Sequence, residues 1–283
     1  MKHILIFTTF FFVFGNTVVA QRTIEGKVID SETKKAIPYV NVGIENKNFG
    51  TISKEDGSFS LKIKSELIDE NPTVVFSSLG YKTQKIPTHV IEESNIVSMS
   101  PEAIQLEEVI VDTRKKRWKK KKLGGYRTSI FNTGEANTDA YGVGKEYGLK
   151  IHHPGVDYRI EKVNFMLSEN TIDSVLFRIN MYTFSKENKL VKSILKEPLF
   201  VKSYKNDELI SIDVSERKLE IEQDMVVAIE PVRLWYKSQE DNQLFYQQTK
   251  QKSTTFLRSS SASGWTKNEL PPFAIFLDIK YYK

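Results

Sequence analysis

The chain of 283 residues contains no cysteine. This absence excludes disulfide bridges, metal sites with thiolate ligands, thiol nucleophiles and a lipid anchor on cysteine. Long apolar runs are also scarce, because no stretch after residue 20 is long and apolar enough to predict a transmembrane helix. The composition, 40% hydrophobic and 27% charged, is that of a globular protein. Its length is sufficient for two domains with cores of their own.

Several motifs of enzyme active sites are missing as well. The sequence contains no Gly-x-Ser-x-Gly elbow, and the serines of 259–263 form a serine-rich loop before Gly264. Gly142-Val143-Gly144 lacks the third glycine of a dinucleotide-binding loop, and no strand–helix unit surrounds it. These gaps predict no cofactor and a protein that is not an enzyme.

The amino terminus has the pattern of an export signal. Lys2 and His3 precede the apolar run Ile4 to Phe14, which is too short to span a bilayer, and Val18-Val19-Ala20 precedes Gln21 as a cleavage site. An uncleaved amino-terminal anchor is the alternative. We therefore expect residues 1–20 to be a signal peptide and the protein to be exported, to the periplasm, the outer membrane or the medium.

The positive charge is concentrated in one short segment. Residues 21–112 carry 10 basic and 15 acidic side chains, and residues 126–283 carry 22 and 21. Residues 113–125 carry 8 basic side chains and no acidic one. Because like charges repel in a folded element, the segment is predicted to be a linker or a solvated tip. It lacks the interleaved aromatics and the broad basic face of a nucleic-acid site, which predicts no nucleic-acid partner.

A pattern of strands and turns begins in the first hundred residues. Asp56-Gly57 predicts a type I′ hairpin turn, because such a turn needs positive φ at both central positions. After it, Phe59, Leu61 and Ile63 alternate with polar residues, which predicts a strand with one buried face. Closing strands of this region are predicted at Ile96–Met99 and Val109–Val111.

Around this stretch, further motifs stand in order: Gly26, Val28 and Asp30; Pro38-Tyr39-Val40-Asn41-Val42; Gly50-Thr51; Asp56-Gly57-Ser58-Phe59; Phe76-Ser77-Ser78-Leu79-Gly80-Tyr81; and Leu106-Glu107-Glu108-Val109-Ile110-Val111. The set resembles the carboxypeptidase regulatory-like domain of Bacteroidetes envelope proteins. The same module precedes the plug of TonB-dependent outer-membrane transporters. The resemblance implies that residues 21–112 form a small transthyretin-like or Ig-like β-sandwich without catalytic residues.

Residues 126–283 also have a β pattern. In Ser174–Phe184, the residues Val175, Phe177, Ile179 and Met181 share one face, and Leu176, Arg178, Asn180 and Tyr182 share the other. Strands without intervening helices favour antiparallel sheets, so we predict an all-β chain whose second domain is a larger jelly-roll-type sandwich. Further strands are predicted at Tyr158–Leu167, Leu209–Val214, Lys218–Ile221, Met225–Glu230, Leu244–Gln248, Thr254–Leu257 and Phe273–Ile279.

Histidines offer a weak case for zinc. His89-Val90-Ile91-Glu92 has the spacing of a His-x-x-Glu pair, with His152 or His153 as a distant third ligand. A catalytic site also needs converging ligands, an open position and a general base, and His89 is predicted to lie in a loop. Adjacent His152 and His153 would point to opposite faces of a strand, so an exposed turn before Pro154 is favoured. A zinc-dependent hydrolase is therefore a remote alternative, and no metal site is predicted.

Two groups of residues are candidates for binding. Trp235, Tyr236, Trp265, Tyr182 and Tyr246 could form an aromatic platform for a polysaccharide, although such rings are more common in cores. The cations of the basic segment could contact anionic lipid or lipid A. They are Arg114, Lys115, Lys116, Arg117, Lys119, Lys120, Lys121 and Lys122.

We therefore expect a non-catalytic, exported cell-envelope protein that acts as an interaction or assembly module. The resemblance associates it with outer-membrane or nutrient-uptake machinery and with an envelope protein as partner. A glycan-binding accessory protein that uses the second sandwich is the alternative.

Overall fold

The computed structural model describes residues 21–64, 71–102, 117–135, 142–184, 190–237, 242–268 and 271–282. The predicted signal peptide, the predicted closing strand Val109–Val111 and the cations Arg114, Lys115 and Lys116 lie outside the described residues. The described part is almost entirely β, as predicted, and forms two sandwiches. No helix of the described part is long and apolar enough to cross a membrane.

The first sandwich consists of a three-stranded sheet packed on a four-stranded sheet. The sheet orders are β4-β1-β7 and β3-β2-β5-β6, and β1 pairs with β7 in parallel whereas the other pairings are antiparallel. Its core contains buried aliphatic side chains and the edge-to-face rings of Phe59 and Phe76. The elements are β1 Gln21–Asp30, β2 Asn41–Ile44, β3 Gly50–Ile52, β4 Ser58–Lys64, β5 Thr73–Ser77, β6 Gln84–Pro87, α1 Thr88–Ser94 and β7 Ile96–Met99.

The turn at Asp56-Gly57 is present, but its predicted type is wrong. Gly57 has a φ of +79°, whereas Asp56 lies outside the left-handed region. Gly57 N donates to the Lys54 carbonyl at 3.0 Å, and the Asp56 carboxylate accepts from Ser58 N at 3.0 Å. The flanking strands β3 and β4 pair in different sheets, so the turn is a corner between sheets.

The second sandwich consists of two seven-stranded antiparallel sheets. One has the order β13-β12-β17-β10-β19-β20, with β14 also pairing to β12. The other has the order β8-β21-β11-β18-β9, with β15 and β16 also pairing to β11. The strands are β8 Trp118–Gly124, β9 Thr128–Glu135, β10 Glu146–Ile151, β11 Tyr158–Asn170, β12 Ser174–Phe184, β13 Leu190–Ser193, β14 Leu199–Tyr204, β15 Leu209–Asp213, β16 Glu220–Ile221, β17 Met225–Trp235, β18 Leu244–Thr249, β19 Thr255–Arg258, β20 Thr266–Asn268 and β21 Ile275–Tyr282.

Strand β12 confirms the predicted alternation and positions the functional site. Val175, Phe177, Ile179 and Met181 are fully buried in the core between the two sheets. Each such side chain contributes roughly 1.5–3 kcal/mol by leaving water. The opposite face of the strand is therefore the outer face of its sheet, and the first sandwich packs against that face.

Two local predictions are wrong. The basic segment is not a linker over Trp118–Gly124, because these residues form β8 and pair with β21 along its length. The repulsion between lysines is relieved because alternate side chains point to opposite faces and Lys122 pairs with Asp278. His89 does not lie in a loop but in the first turn of α1, a seven-residue helix too short to show a clear period in the sequence.

Candidate functional site

The outer face of the β12 sheet carries a row of four charges on neighbouring strands. Arg178 on β12 lies opposite Glu230 on β17, and Glu146 on β10 lies opposite Arg258 on β19. Because β17 pairs with β10, the two carboxylates stand side by side between the two guanidinium groups. The row is therefore balanced in charge across four strands.

Each cation forms several bonds to its carboxylate. Arg178 Nε donates to Glu230 Oε2 and Arg178 Nη2 donates to Glu230 Oε1, both at 2.7 Å. Arg258 donates through Nε and Nη2 to Glu146 Oε1. The side chains of Arg178 and Glu230 are 6% and 0% exposed, so their pair is shielded from water. Such a fork is the strong geometry for an arginine and a carboxylate.

Two neutral side chains of β12 connect the ion pairs. Asn180 Nδ2 donates to Glu146 Oε2 at 3.1 Å and to Glu230 Oε2 at 3.0 Å. The Tyr182 hydroxyl donates to Glu146 Oε2 at 2.7 Å and accepts from Arg258 Nη2 at 3.0 Å. The six side chains, Glu146, Arg178, Asn180, Tyr182, Glu230 and Arg258, form one network, which we call the interface network.

The interface network extends into the first sandwich through Arg178. Its Nη1 donates to the Tyr39 carbonyl at 2.7 Å, and its Nη2 donates to Asn41 Oδ1 at 2.5 Å. Tyr39 has a φ of +56°, a conformation that costs a non-glycine residue roughly 1–2 kcal/mol. The Tyr39 ring packs 5.5 Å from the ring of Phe200 on the second sandwich. Contacts between the sandwiches thus hold both ends of this strained residue.

Burial and charge shift the pKa values of the interface network. Burial has the largest single effect on the pKa of Arg178 and acts to lower it, but the attraction and hydrogen bonds of Glu230, together with the negative charge of Glu146, raise the pKa overall. Burial raises the pKa of Glu230, and Arg178 offsets only part of that effect. Burial and then the negative charge of Glu146 raise the pKa of Tyr182 well above its ordinary value. The phenol therefore keeps its proton and remains a donor to Glu146.

Beside the interface network the backbones of the two sandwiches approach closely, along a contact that we call the seam. A Cβ on Gly50 would lie 2.5 Å from the Cβ of Ser260, and a Cβ on Gly43 would lie 2.8 Å from that of Ala262. Asn46 N donates to the Ala262 carbonyl at 3.1 Å. The seam therefore needs residues without side chains at two positions of the first sandwich.

A cleft of about 640 Å³ opens at the rim of the same interface. Arg233 crosses it and lies 2.5 Å from the carboxylate of Glu55, which is mostly exposed. Hydrogen bonds to Tyr39 and Glu55 raise the pKa of Arg233. The cleft is lined by Tyr39, Ile52, Ser53, Lys54, Glu55, Asp56, Val232 and Arg233.

Tyr246, one of the five aromatic candidates, is buried in the core of the second sandwich, which contradicts its prediction as a binding residue. The other four lie in two separate places. Tyr182 and Trp265 pack edge to face with ring centroids 5.3 Å apart, and Arg258 lies 4.6 Å from the Trp265 ring. Trp235 lies opposite Ser174, eight residues along β12 from Tyr182, which is roughly 27 Å in an extended strand. It contacts Lys202 and Arg233, and Tyr236 next to it is exposed. The structure therefore brings Tyr182 and Trp265 together but not all four residues.

The described basic candidates lie on or beside β8. Arg117 precedes the strand and is exposed, and all four lysines from Lys119 to Lys122 are exposed. Lys122 Nζ lies 2.6 Å from Asp278 and 4.8 Å from the ring centroid of Phe276. The cations thus lie on the strand that ends this sheet in the order of the described strands.

The histidines have separate partners. His89 Nδ1 lies 2.9 Å from Asn71 Oδ1, whereas Glu92 pairs with Arg22. His152 lies 3.3 Å from Asp224, a residue whose carboxylate also accepts from His153 N. No cluster of three or more histidine or acidic residues within the described ranges could hold a metal ion.

Sequence reasoning identified Tyr182 but missed Glu146, Arg178, Asn180, Glu230 and Arg258 as one site. A signal was available in β12, where Arg178 and Asn180 lie on the face opposite a fully apolar one. That placement indicates either a solvated face or a face that packs on polar groups. To decide between these two kinds of face, one must know the order of the strands in the sheet.

Comparison with known protein families identifies the type of domain that the first sandwich resembles. Residues 24–111 match the model of the CarboxypepD_reg-like domain family, which is a non-catalytic β-domain. This match supports the domain predicted from the motifs. No curated protein matches the chain.

A solved structure titled "Structure of infectious bursal disease virus Gx strain" also resembles the chain. The identity is 9% and the TM-score is 0.22, and the alignment covers 92% of this chain and 59% of that chain. The chain thus spans under two thirds of the viral chain. At this score, the likeness carries no argument about fold or function.

Proposed function

We propose that this protein is a non-catalytic, exported component of a cell envelope, in which two sandwiches held in one fixed orientation act as an interaction or assembly module. The match to a carboxypeptidase regulatory-like domain supports the non-catalytic assignment for residues 24–111. The signal-like amino terminus supports export. Association with outer-membrane or nutrient-uptake machinery rests on the resemblance described above.

The interface network is the observation that carries this proposal. All three side-chain nitrogens of Arg178 are bonded, to Glu230, to the Tyr39 carbonyl and to Asn41. Both carboxylates of the row accept from an arginine and from Asn180. Groups bonded in this way stabilise one arrangement of the two sandwiches and are not available to a substrate. The protein therefore presents a combined surface of fixed shape to a partner.

The test uses the full chain with photo-crosslinking side chains placed at exposed positions on each sandwich. Crosslinking in native envelope fractions is expected to give the same partner band from positions on both sandwiches. A matched variant, Arg178→Leu, is expected to keep the crosslinks of at most one sandwich, because the orientation is no longer fixed. Turnover of peptides or glycans by the purified protein, together with the absence of any crosslinked partner, would overturn the proposal.

A second candidate function is glycan binding by the second sandwich, and one observation favours it. Tyr182, Trp265, Phe256 and Phe184 are neighbours on the outer face, with centroid distances from 5.3 to 6.5 Å, and each is half-buried. Half-exposed rings beside a guanidinium group suit the apolar faces and hydroxyls of a sugar. Titration with polysaccharides tests this function, and Trp265→Ala is expected to abolish binding whereas Trp235→Ala leaves it intact.

A further inference from the structure

Among the described strands, β8 lies at the end of its sheet and has one open edge. It pairs with β21 from Trp118 opposite Tyr282 to Gly124 opposite Phe276. Within the described part of the chain, no strand pairs with its other side. A strand with one partner directs about half of its backbone N–H and C=O groups outward. Seven residues at roughly 3.3 Å each give an open ladder of about 23 Å.

Three cations on this edge have no carboxylate partner among the described residues. Lys120 lies opposite Lys280, which has the same charge and pairs with Glu161 instead. Lys119 and Lys121 lie opposite Tyr281 and Ile279. Of the four lysines, only Lys122 takes part in an ion pair between described residues. The open ladder thus carries positive charge that no carboxylate of the described residues balances.

The alternation of the strand limits what can bind there. Lys120 points to one face of the sheet, whereas Lys119 and Lys121 point to the other. A planar lipid surface meets one face of a sheet at a time, so it would leave part of this charge unmatched. A strand that extends the sheet places its own side chains on both faces, opposite the lysines on each. A second copy of β8 would bring lysine against lysine, which is destabilising.

We propose that the open edge of β8 binds an extended acidic segment of a partner protein as an added strand. Backbone hydrogen bonds would supply affinity. Carboxylates on both faces of the added strand would pair with the lysines and so make the edge selective for an acidic segment. The inference rests on the proposed function as an interaction module, and it names the chemistry of the partner.

A groove on the face of the sheet begins at the lysines of β8 and extends across β21 and β11 to β15. It has a volume of about 560 Å³ and mixes lysines with acidic residues that have partners of their own. Asp278 pairs with Lys122, and Asp213 accepts from the hydroxyl of Ser215 at 2.6 Å. The groove is lined by Lys120, Lys121, Lys122, Glu161, Lys162, Asp213, Asp278 and Ile279.

The experiment measures fluorescence anisotropy of a labelled nine-residue peptide, rich in glutamate with valine and threonine between, on the full chain. The triple variant Lys119→Gln, Lys120→Gln and Lys121→Gln is expected to bind roughly tenfold more weakly. Its matched control replaces the exposed lysines Lys205, Lys250 and Lys252 by Gln, which removes the same charge elsewhere. The control is expected to bind within about twofold of the wild type.

Two N-methylated peptides test the backbone ladder. One peptide carries N-methyl groups on its odd-numbered residues and the other on its even-numbered residues. In each peptide the charge is unchanged, while the N–H donors on one side of the strand are removed. One of the two peptides is expected to bind at least tenfold more weakly than the other, because its methyl groups face β8. Equal binding of the two N-methylated peptides, or no binding of the unmethylated peptide, would overturn the proposal.

Three further outcomes would also overturn it. These are equal weakening in the control variant, lysine-dependent binding to vesicles that contain phosphatidylglycerol without peptide binding, and a β8-dependent dimer in sedimentation. If the peptide fails while crosslinking still detects a partner on both sandwiches, the proposed function stands and the β8 edge is excluded as its site.

Discussion

The second sandwich carries ion pairs on the outer faces of both its sheets, and the two faces differ in their contact with water. On the face that meets the first sandwich, Arg178 and Glu230 are buried. On the other, Arg159 and Glu220 are 2.5 Å apart, with side chains 29% and 57% exposed. Cross-strand pairing is the same in both places. The cost of removing one partner differs, since a charge left without a partner in the interior has no water to solvate it.

The largest effect is expected for Arg178→Leu. This change leaves Glu230 buried beside Glu146 without its guanidinium partner, and it removes the bonds to Tyr39 and Asn41. We expect a loss of about 3–5 kcal/mol in the free energy of unfolding, measured by urea denaturation. A loss below about 1 kcal/mol would show that water reaches the pair and that the contrast between the faces is smaller than the structure indicates.

The double variant Arg178→Leu with Glu230→Leu separates burial from pairing. Replacing both charges by apolar side chains removes the unpaired carboxylate, so we expect stability to return to within about 1–2 kcal/mol of the wild type. The first sandwich should nevertheless lose its fixed orientation, because Tyr39 and Asn41 have lost their donor. Small-angle scattering of the double variant would detect this change at nearly normal stability.

The exposed pair on the other face should contribute little. In a double-mutant cycle of Arg159→Ala and Glu220→Ala, we expect a coupling energy of about 0.2–1 kcal/mol that decreases with added salt. A coupling energy as large as that of Arg178 with Glu230 would remove the distinction between the two faces.

Carboxyl groups on the two faces should also have pKa values shifted in opposite directions. Burial raises the pKa of Glu230, so its contribution to stability is present below its unfolded pKa and is lost as pH rises through the folded value. Hydrogen bonds from Ser215 lower the pKa of Asp213, so its contribution is present above the unfolded pKa and is lost as pH falls through the folded value. Carboxyl-carbon NMR titration, assigned with Glu230→Gln and Asp213→Asn, should place the two midpoints on opposite sides of their ordinary values.

The local pattern of the sequence was enough to predict the strands with one apolar face. Ser174–Phe184 was predicted with its true bounds and both of its faces, because the apolar residues Val175, Phe177, Ile179 and Met181 occupy every second position. Ile96–Met99 was also predicted with its true bounds. The all-β class and the two sandwiches are confirmed for the same reason.

The interface network could not be predicted from the sequence. Its members come from β10, β12, β17 and β19, and the order β12-β17-β10-β19 in the sheet is not the order in the chain. Strand β8 was missed because four consecutive lysines outweigh β propensity when only local sequence is considered. Its pairing with β21 depends on a segment more than 150 residues away. The type I′ turn was predicted from two residues, but the sheets that it connects decide its geometry.

Together with the interface network, the seam fixes the angle between the two sandwiches, because it leaves no room for a side chain at positions 43 and 50. A methyl group at position 50 would act as a wedge against Ser260. Strand β11 has 13 residues and is roughly 44 Å long, so a small tilt at the seam becomes a displacement of several ångströms at the distal end of the molecule. Gly43 and Gly50 of the first sandwich thus help to determine the position of β8 and its lysines relative to the first sandwich.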